Sequence, residues 1–239
     1  PKTIEIRMSR HSAKANTTWG FGFPDVFDPS FDASIHTACT ATLYRQQGKV
    51  LVEDPSVIGW YTDNELHWWG SGGYWGSDDQ QGGSDSLALV DDYIGLAPDS
   101  SGKRRWVRFL EEQYGTIEKL NHRWGTEYVS FDCLHFLLNY NARTRELEED
   151  KRNFLRLIAE TYFQKTSAAL KLYVPNHMNL GTRVVGISTP QTVLEVMAKY
   201  VDVVSFNTYS RVFPKEYLSY LHELTGKPIL FTEFCFCAG

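Results

Sequence analysis

The sequence has no uninterrupted apolar run of 18 or more residues, so no segment reads as a transmembrane helix. It has no excess of positive charge either. Against 29 Asp and Glu stand 24 Lys and Arg, a formal net charge of -5, which offers neither a nucleic-acid footprint nor a polybasic membrane anchor. Cysteine is sparse: Cys39, Cys133, Cys235 and Cys237 lack zinc-like spacing, and Cys235-Phe236-Cys237 is C-x-C rather than C-x-x-C. Alternation along a strand puts 235 and 237 on one face, so two buried thiols are expected there rather than a disulfide or a metal site. The histidines at 11, 36, 67, 122, 135, 177 and 222 form no H-E-x-x-H or other ligand spacing, which argues against a metal-dependent hydrolase. There is no G-x-G-x-x-G and no P-loop; the glycines from Gly70 to Gly76 lack the Lys-Ser/Thr that follows phosphate-cradling glycines. Neither a metal nor an organic cofactor is expected. The chain starts at Pro1 without Met and stops shortly after Glu233, and it reads as an excerpt of a longer protein. Missing targeting signals therefore carry no weight, and the compartment is not addressed.

What is present is a chain of 239 residues, 42% hydrophobic and 22% charged, enough for one domain with a large core. Aromatic residues make up 14%, with seven Trp and 13 Tyr. Exposed ring faces stack on sugars, although core packing claims most large rings.

Periodicity places the elements. Thr3 to Met8 alternates as a strand, and a Gly/Pro/Asp-rich loop follows from Trp19 to Pro29. Helical spacing runs from Ser30 to about Gln47, and Val57 to Asn64 is a strand. Residues 70 to about 103 read as one long loop, a length that is usually functional or disordered. Trp106, Leu110, Tyr114, Ile117, Leu120 and Trp124 predict one amphipathic helix closed by Gly125. The charged run Glu146 to Arg152 reads as a solvated helix start, and Phe154 to Leu172 as a second long helix. Strands are expected at 179–185, 201–208 and 229–232; Thr189-Pro190 reads as a helix N-cap followed by proline at the first position, and Pro214 opens a helix stopped by Gly226. Helix and strand alternate regularly from residue 150, which argues for parallel βα units.

Two carboxylates stand out. Glu65 closes the run Val57 to Asn64, and Glu233 closes Pro228-Ile229-Leu230-Phe231-Thr232. Short apolar runs bounded by Pro or Gly read as strands buried on both faces, and chemistry collects at the C-terminal ends of such strands. Two carboxylates on one rim are what glycosidic hydrolysis needs. Glu233 is the only acid in an otherwise apolar stretch, where a charge is costly unless paired or functional; the structural alternative is a salt bridge. Asn64 offers an amide to a sugar hydroxyl, His67 can line a subsite, and Trp68, Trp69 or Trp75 can stack on substrate. Asn207 and Tyr209 end the penultimate strand with hydrogen-bonding groups; a Tyr209 hydroxyl that reached a carboxylate nucleophile would orient it, the alternative being a tyrosine packed on the barrel rim.

These segments also resemble a known group. Ile58-Gly59-Trp60-Tyr61-Thr62-Asp63-Asn64-Glu65 resembles the fourth-strand signature of the clan A glycoside hydrolases, and Lys227 to Phe234 their seventh-strand nucleophile segment. Tyr114 to Thr126 is similar to the segment after the fourth strand in family 42 β-galactosidases and agarase-like enzymes, and Phe23 to Pro29 is agarase-like. The resemblance implies a (β/α)8 TIM barrel, present here as a partial barrel from about strand 3 or 4 to strand 7. Residues 1–239 would be a catalytic domain incomplete at both ends, with a long active-site loop and helical insertion at about 70–148. It implies a retaining hydrolase of β-galactosides or agar-type galactan, with Glu65 as acid/base and Glu233 as nucleophile. An oligo- or polysaccharide is then the expected partner, with no nucleic acid and no membrane, and homo-oligomerisation is left open. The clan's usual arginine near the second strand is missing. A carbohydrate-binding barrel without turnover and a β-glycosidase of another specificity are the competing readings.

Overall fold

The strand predicted over Val57 to Asn64 forms with those bounds and is buried over most of its length. In the computed structural model of the chain, residues 1–17, 22–44, 51–71, 85–140, 142–185, 188–209 and 213–235 are described. Five parallel strands make one sheet: β1 (Lys2–Glu5), β4 (Val57–Asn64), β5 (Met178–Val185), β6 (Val204–Thr208) and β7 (Ile229–Phe234), adjacent in that order. A short antiparallel pair, β2 (Lys14–Asn16) with β3 (Phe23–Pro24), stands apart from it. Helices α1 (Pro29–Tyr44), α6 (Arg145–Tyr173), α7 (Gln191–Met197) and α8 (Lys215–Thr225) alternate with the strands and pack on one another in sequence. This is half of a (β/α)8 barrel.

α6 shows why the helices lie where they do. Leu147, Phe154, Leu155, Ile158, Tyr162, Phe163 and Leu170 recur at helical spacing and are all buried. Thr144 caps the N-terminus by accepting from the Leu147 N–H at 3.2 Å, with Glu146 and Glu148 in the first turn complementing the helix dipole. At the usual value of about 25 cal/mol per Å² of apolar surface, each large side chain so buried contributes about 1.5–3 kcal/mol.

Several expectations are corrected. Residues 70 to 103 are not one loop: α2 (Ala88–Ile94) and the start of α3 (Ser101–Tyr114) lie within them, the Gly-rich 72–84 being outside the described residues. The single helix expected from Trp106 to Trp124 is two, α3 and α4 (Ile117–Trp124). Gly115 at φ 72° ends the first, and Thr116 caps the second by accepting from the Lys119 N–H. Helical spacing continues across the break because both helices face one core. A four-residue α5 (Phe131–Leu134) follows. Asp150 is not at a solvated helix start. It is 2% exposed and accepts from Gln113, from the Tyr114 hydroxyl at 2.6 Å and from Trp124 Nε1 at 2.7 Å, tying α3 and α4 to α6. Thr189 makes no side-chain cap, and Pro190 itself is the N-cap of α7. Cys235 is exposed rather than buried, while Cys39 is buried; Cys237 lies outside the described residues. No helix among the described residues is long and apolar enough to cross a membrane.

Of the four register shifts in the sheet among the described residues, two lie next to C-terminal strand ends and set where the side chains there point. Between β4 and β5 the register moves from Tyr61↔Gly181 to Asp63↔Thr182, leaving Thr62 as an extra residue. Between β6 and β7 it moves from Phe206↔Phe231 to Asn207↔Glu233, leaving Thr232 extra. Bulges of this kind re-aim the side chains beyond them. Gly181 takes φ 65° at the first, and a Cβ there would meet Val201 Cγ1 at 2.7 Å. A side chain at 181 would therefore need both a rare backbone conformation and room that is already filled.

Candidate active site

Each bulge lies just before one of the two glutamates. After the first, Asn64 pairs in register with Arg183; after the second, Asn207 pairs with Glu233. Glu65 then leaves the strand at φ 50°, its N–H donating to the Arg183 carbonyl at 3.1 Å. A non-glycine residue in the left-handed region costs on the order of 1–3 kcal/mol and persists where its surroundings over-determine it.

The carboxylates have different surroundings. Glu65 Oε1 accepts from Asn207 Nδ2 at 2.8 Å, and Asn207 is itself oriented by the Thr232 hydroxyl, which donates to its Oδ1. Burial raises the pKa of Glu65 above the usual carboxylate range and the charge of Glu233 raises it further, while Asn207, Arg183 and Asn64 pull it down. Glu233 faces donors on both oxygens: Arg183 Nη1 at 3.2 Å from Oε1, and the Tyr209 hydroxyl at 2.6 Å from Oε2. That bond to a carboxylate pushes the Tyr209 phenol up to about 12, so it remains a donor. β7 is only half-buried, contrary to the strongly buried stretch expected, because it is the sheet's edge strand among the described residues.

The sequence-predicted residues divide clearly. Glu65, Glu233, Asn64, Asn207 and Tyr209 meet in one hydrogen-bonded cluster. Asn207 is fully buried with its amide on Glu65, so it holds the carboxyl rather than presenting to solvent. His67 borders a cleft of about 430 Å³ with Asn64, Glu65, Asp63 and Lys14, a volume suited to a small ligand, but it is itself only 1% exposed. Burial lowers its pKa, and Asp92 opposes that shift.

Proximity to Glu65 in sequence points Trp68 and Trp69 at substrate, and packing overrides it. Trp68 is 1% exposed, stacked on Phe163 at 5.5 Å and edge-on to Phe23 and Tyr162, leaving no ring face for a sugar. Trp69 is 2% exposed and stacks on His67 at 4.9 Å. Trp75 lies outside the described residues. Trp68→Phe in the full-length protein is expected to lower stability by about 1–3 kcal/mol as the core repacks without moving KM, read by chemical unfolding and steady-state kinetics. A raised KM at unchanged stability would return Trp68 to the substrate.

Residues that sequence reasoning missed complete the cluster. Arg183 Nη1 lies 3.1 Å from Glu5 Oε2 and 3.0 Å from Asn64 Oδ1 as well as near Glu233, with its guanidinium 4.3 Å above the Tyr61 ring. Asp63 is buried under the cluster. It accepts from the Ser9 N–H at 3.2 Å, the Ser9 hydroxyl at 3.0 Å and the Tyr162 hydroxyl at 2.8 Å. The one available signal for Arg183 was a lone cation in the apolar run Met178 to Val185, a weak one without knowing the register.

A half-barrel with two carboxylates in different hydrogen-bonding surroundings at the C-terminal ends of its strands is the arrangement of a glycoside hydrolase. The sequence pattern of glycoside hydrolase family 42, described as beta-galactosidase, matches residues 30–224, and the chain belongs to that family. Over 223 residues it is 31% identical to beta-agarase B of Vibrio sp. (strain JT0107), covering 92% of this chain and 22% of that protein. Beta-agarase A of the same organism is 30% identical over 227 residues, with the same coverage. The chain thus spans about a fifth of the length of these relatives. Among solved structures, an agarase superposes with a TM-score of 0.78 at 26% identity, covering 98% of this chain and 32% of its own. An exo-beta-agarase gives the same score and identity, with 98% and 30% covered.

Proposed function

We propose that this chain carries the catalytic centre of a retaining β-glycosidase acting on β-galactosides or agar-type galactan by double displacement. The observation that carries the reading is the opposed setting of the two carboxyls. Glu65 is desolvated and raised by its neighbour's charge, as suits a general acid, while Glu233 faces the guanidinium of Arg183 and a phenol donor, as suits an ionised nucleophile. Glu233 attacks the anomeric carbon while Glu65 protonates the departing oxygen. Glu65 then takes a proton from water, which releases the sugar from Glu233 with its configuration retained. Asn64, held by Arg183 and Asn207 at the cleft, offers its amide to a hydroxyl beside the reacting carbon. The substrate class follows the β-agarases and β-galactosidases to which the chain is similar.

The test is Glu65→Ala in the full-length protein, assayed on aryl β-galactosides of graded leaving-group acidity. Loss of the general acid is expected to cost about 10²–10⁴-fold on poor leaving groups and far less on a dinitrophenolate, which departs without a proton. The basic limb of the pH profile should vanish with it. An equal loss on all leaving groups would remove Glu65 from the acid role.

A further inference from the structure

Arg183 is the cation bonded to Glu233 and Asn64, and it is over-subscribed. Its Nη1 carries two hydrogens and faces three oxygens, on Glu5, Asn64 and Glu233, at 3.1, 3.0 and 3.2 Å. Its Nε is buried without a hydrogen-bond partner among the described residues. Four strands meet here, Asn64 coming from β4. Glu5 ends β1, Arg183 lies on β5 and Glu233 on β7, so the guanidinium spans the half-barrel from one edge strand to the other. Tyr61 beneath the guanidinium limits where it can move. Glu5 is in turn held by Arg7, whose Nε lies 2.7 Å from Glu5 Oε1.

We propose that Arg183 is the positioning residue of the nucleophile and that Glu5 is its counterweight, the two acids competing for one guanidinium edge. Proposed in this form, the device rests on the assignment of Glu65 and Glu233 above. Arg183 aims Glu233 Oε1 and supplies positive charge beside the reacting pair, while Glu5 limits how much of that charge reaches it. Arg183 also holds Asn64 Oδ1, so the same cation sets the amide that meets the sugar. The groups facing Glu65 include Asn64 from β4, Arg183 from β5, Asn207 from β6, Glu233 from β7 and Tyr209 just past β6; Arg183 is the cation that acts on it directly, while Arg7, Arg10 and Lys14 line the same cleft.

The experiment compares Arg183→Met, Arg183→Lys, Glu5→Gln and Glu233→Gln in the full-length protein, by pH-dependent kinetics on an aryl β-galactoside with unfolding midpoints as the control for folding. Arg183→Met should lower kcat by about 10²–10³-fold, the loss typical of removing one preorganised donor, with KM little changed. It should also move the basic limb to higher pH, because the cation that holds Glu65 down is gone. Arg183→Lys keeps the charge without the planar fork, so it should restore the limb and only part of kcat. Glu5→Gln should move the limb the other way, to lower pH, because the guanidinium is then less compensated. A purely structural role cannot displace the limb in opposite directions. Turnover of Arg183→Met within a few-fold of the parent, or displacement of the limb in one direction by both variants, overturns the proposal. If Arg183→Met does not fold, an unmoved limb in Glu5→Gln overturns it alone. Activity in Glu233→Gln would instead remove the nucleophile assignment, so the two failures are distinguishable.

Discussion

Glu233→Ala in the full-length protein is expected to lower kcat on an aryl β-galactoside by roughly 10⁴-fold to 10⁶-fold, the scale of losing a nucleophile that acts as a unit with its partners. The substitution opens a space on the α-face of the bound sugar, so azide should restore turnover and yield the α-galactosyl azide. That product has the inverted configuration because one displacement replaces two. Folding should survive the change. Arg183 retains Glu5 and Asn64 as partners, and the Tyr209 hydroxyl, on a residue 56% exposed, can turn to water. Product stereochemistry by NMR and the azide-dependent rate are the readouts. Unchanged turnover without azide would remove Glu233 from the mechanism.

The second large effect is on stability and comes from Asp63. Its carboxyl is fully buried, and desolvation raises its pKa from 3.8 to about 7 despite the bonds from Tyr162 and Ser9 and the charge of Lys14. The neutral acid therefore fits the folded state. Its contribution is complete below the unfolded value of about 3.8 and is lost as pH rises through about 7. Roughly three pH units at about 1.4 kcal/mol each give a swing on the order of 4 kcal/mol. Asp63→Asn should abolish that slope. The amide keeps one acceptor for Ser9 and donates to Tyr162, whose hydroxyl can turn to Thr62 Oγ1 at 3.2 Å. Denaturant unfolding of both proteins between pH 4 and pH 8 is the measurement, with the stability difference expected to favour the variant increasingly toward neutral pH. Parallel curves would mean that Asp63 titrates at its ordinary pH.

These outcomes depend on features of unequal visibility in the chain. The alternation of periods 3.6 and 2 from Arg145 onward is a local property, and it locates α6, β5, α7, β6, α8 and β7 with errors of only a few residues. The break between α3 and α4 escaped because helical spacing reports which face is buried, and the same face stays buried through Gly115 and Thr116. Asp150 escaped for a related reason: among five charged neighbours, only the packing of α3 and α4 against α6 shows which one turns inward to Gln113, Tyr114 and Trp124.

The same division runs through the candidate site. Glu65 and Glu233 could be found from the chain alone, because an acid closing an apolar strand is a local anomaly of composition. Their partners could not. Arg183 is sequence-distant from Glu5, Asn64 and Glu233, and it meets all three only because five strands align in parallel with a bulge before each glutamate. A one-residue slip in either register would turn these side chains to the other face of the sheet. Trp68 shows the converse: adjacency to Glu65 in sequence suggested the substrate, but the turn at Glu65 sends the indole into the core between Phe23, Tyr162 and Phe163. Local sequence thus determines strands, helices and the two acids, since these arise from short-range pattern and composition. Register, burial and the sharing of one guanidinium among three strands are decided by tertiary structure, because they depend on residues that no local pattern brings together.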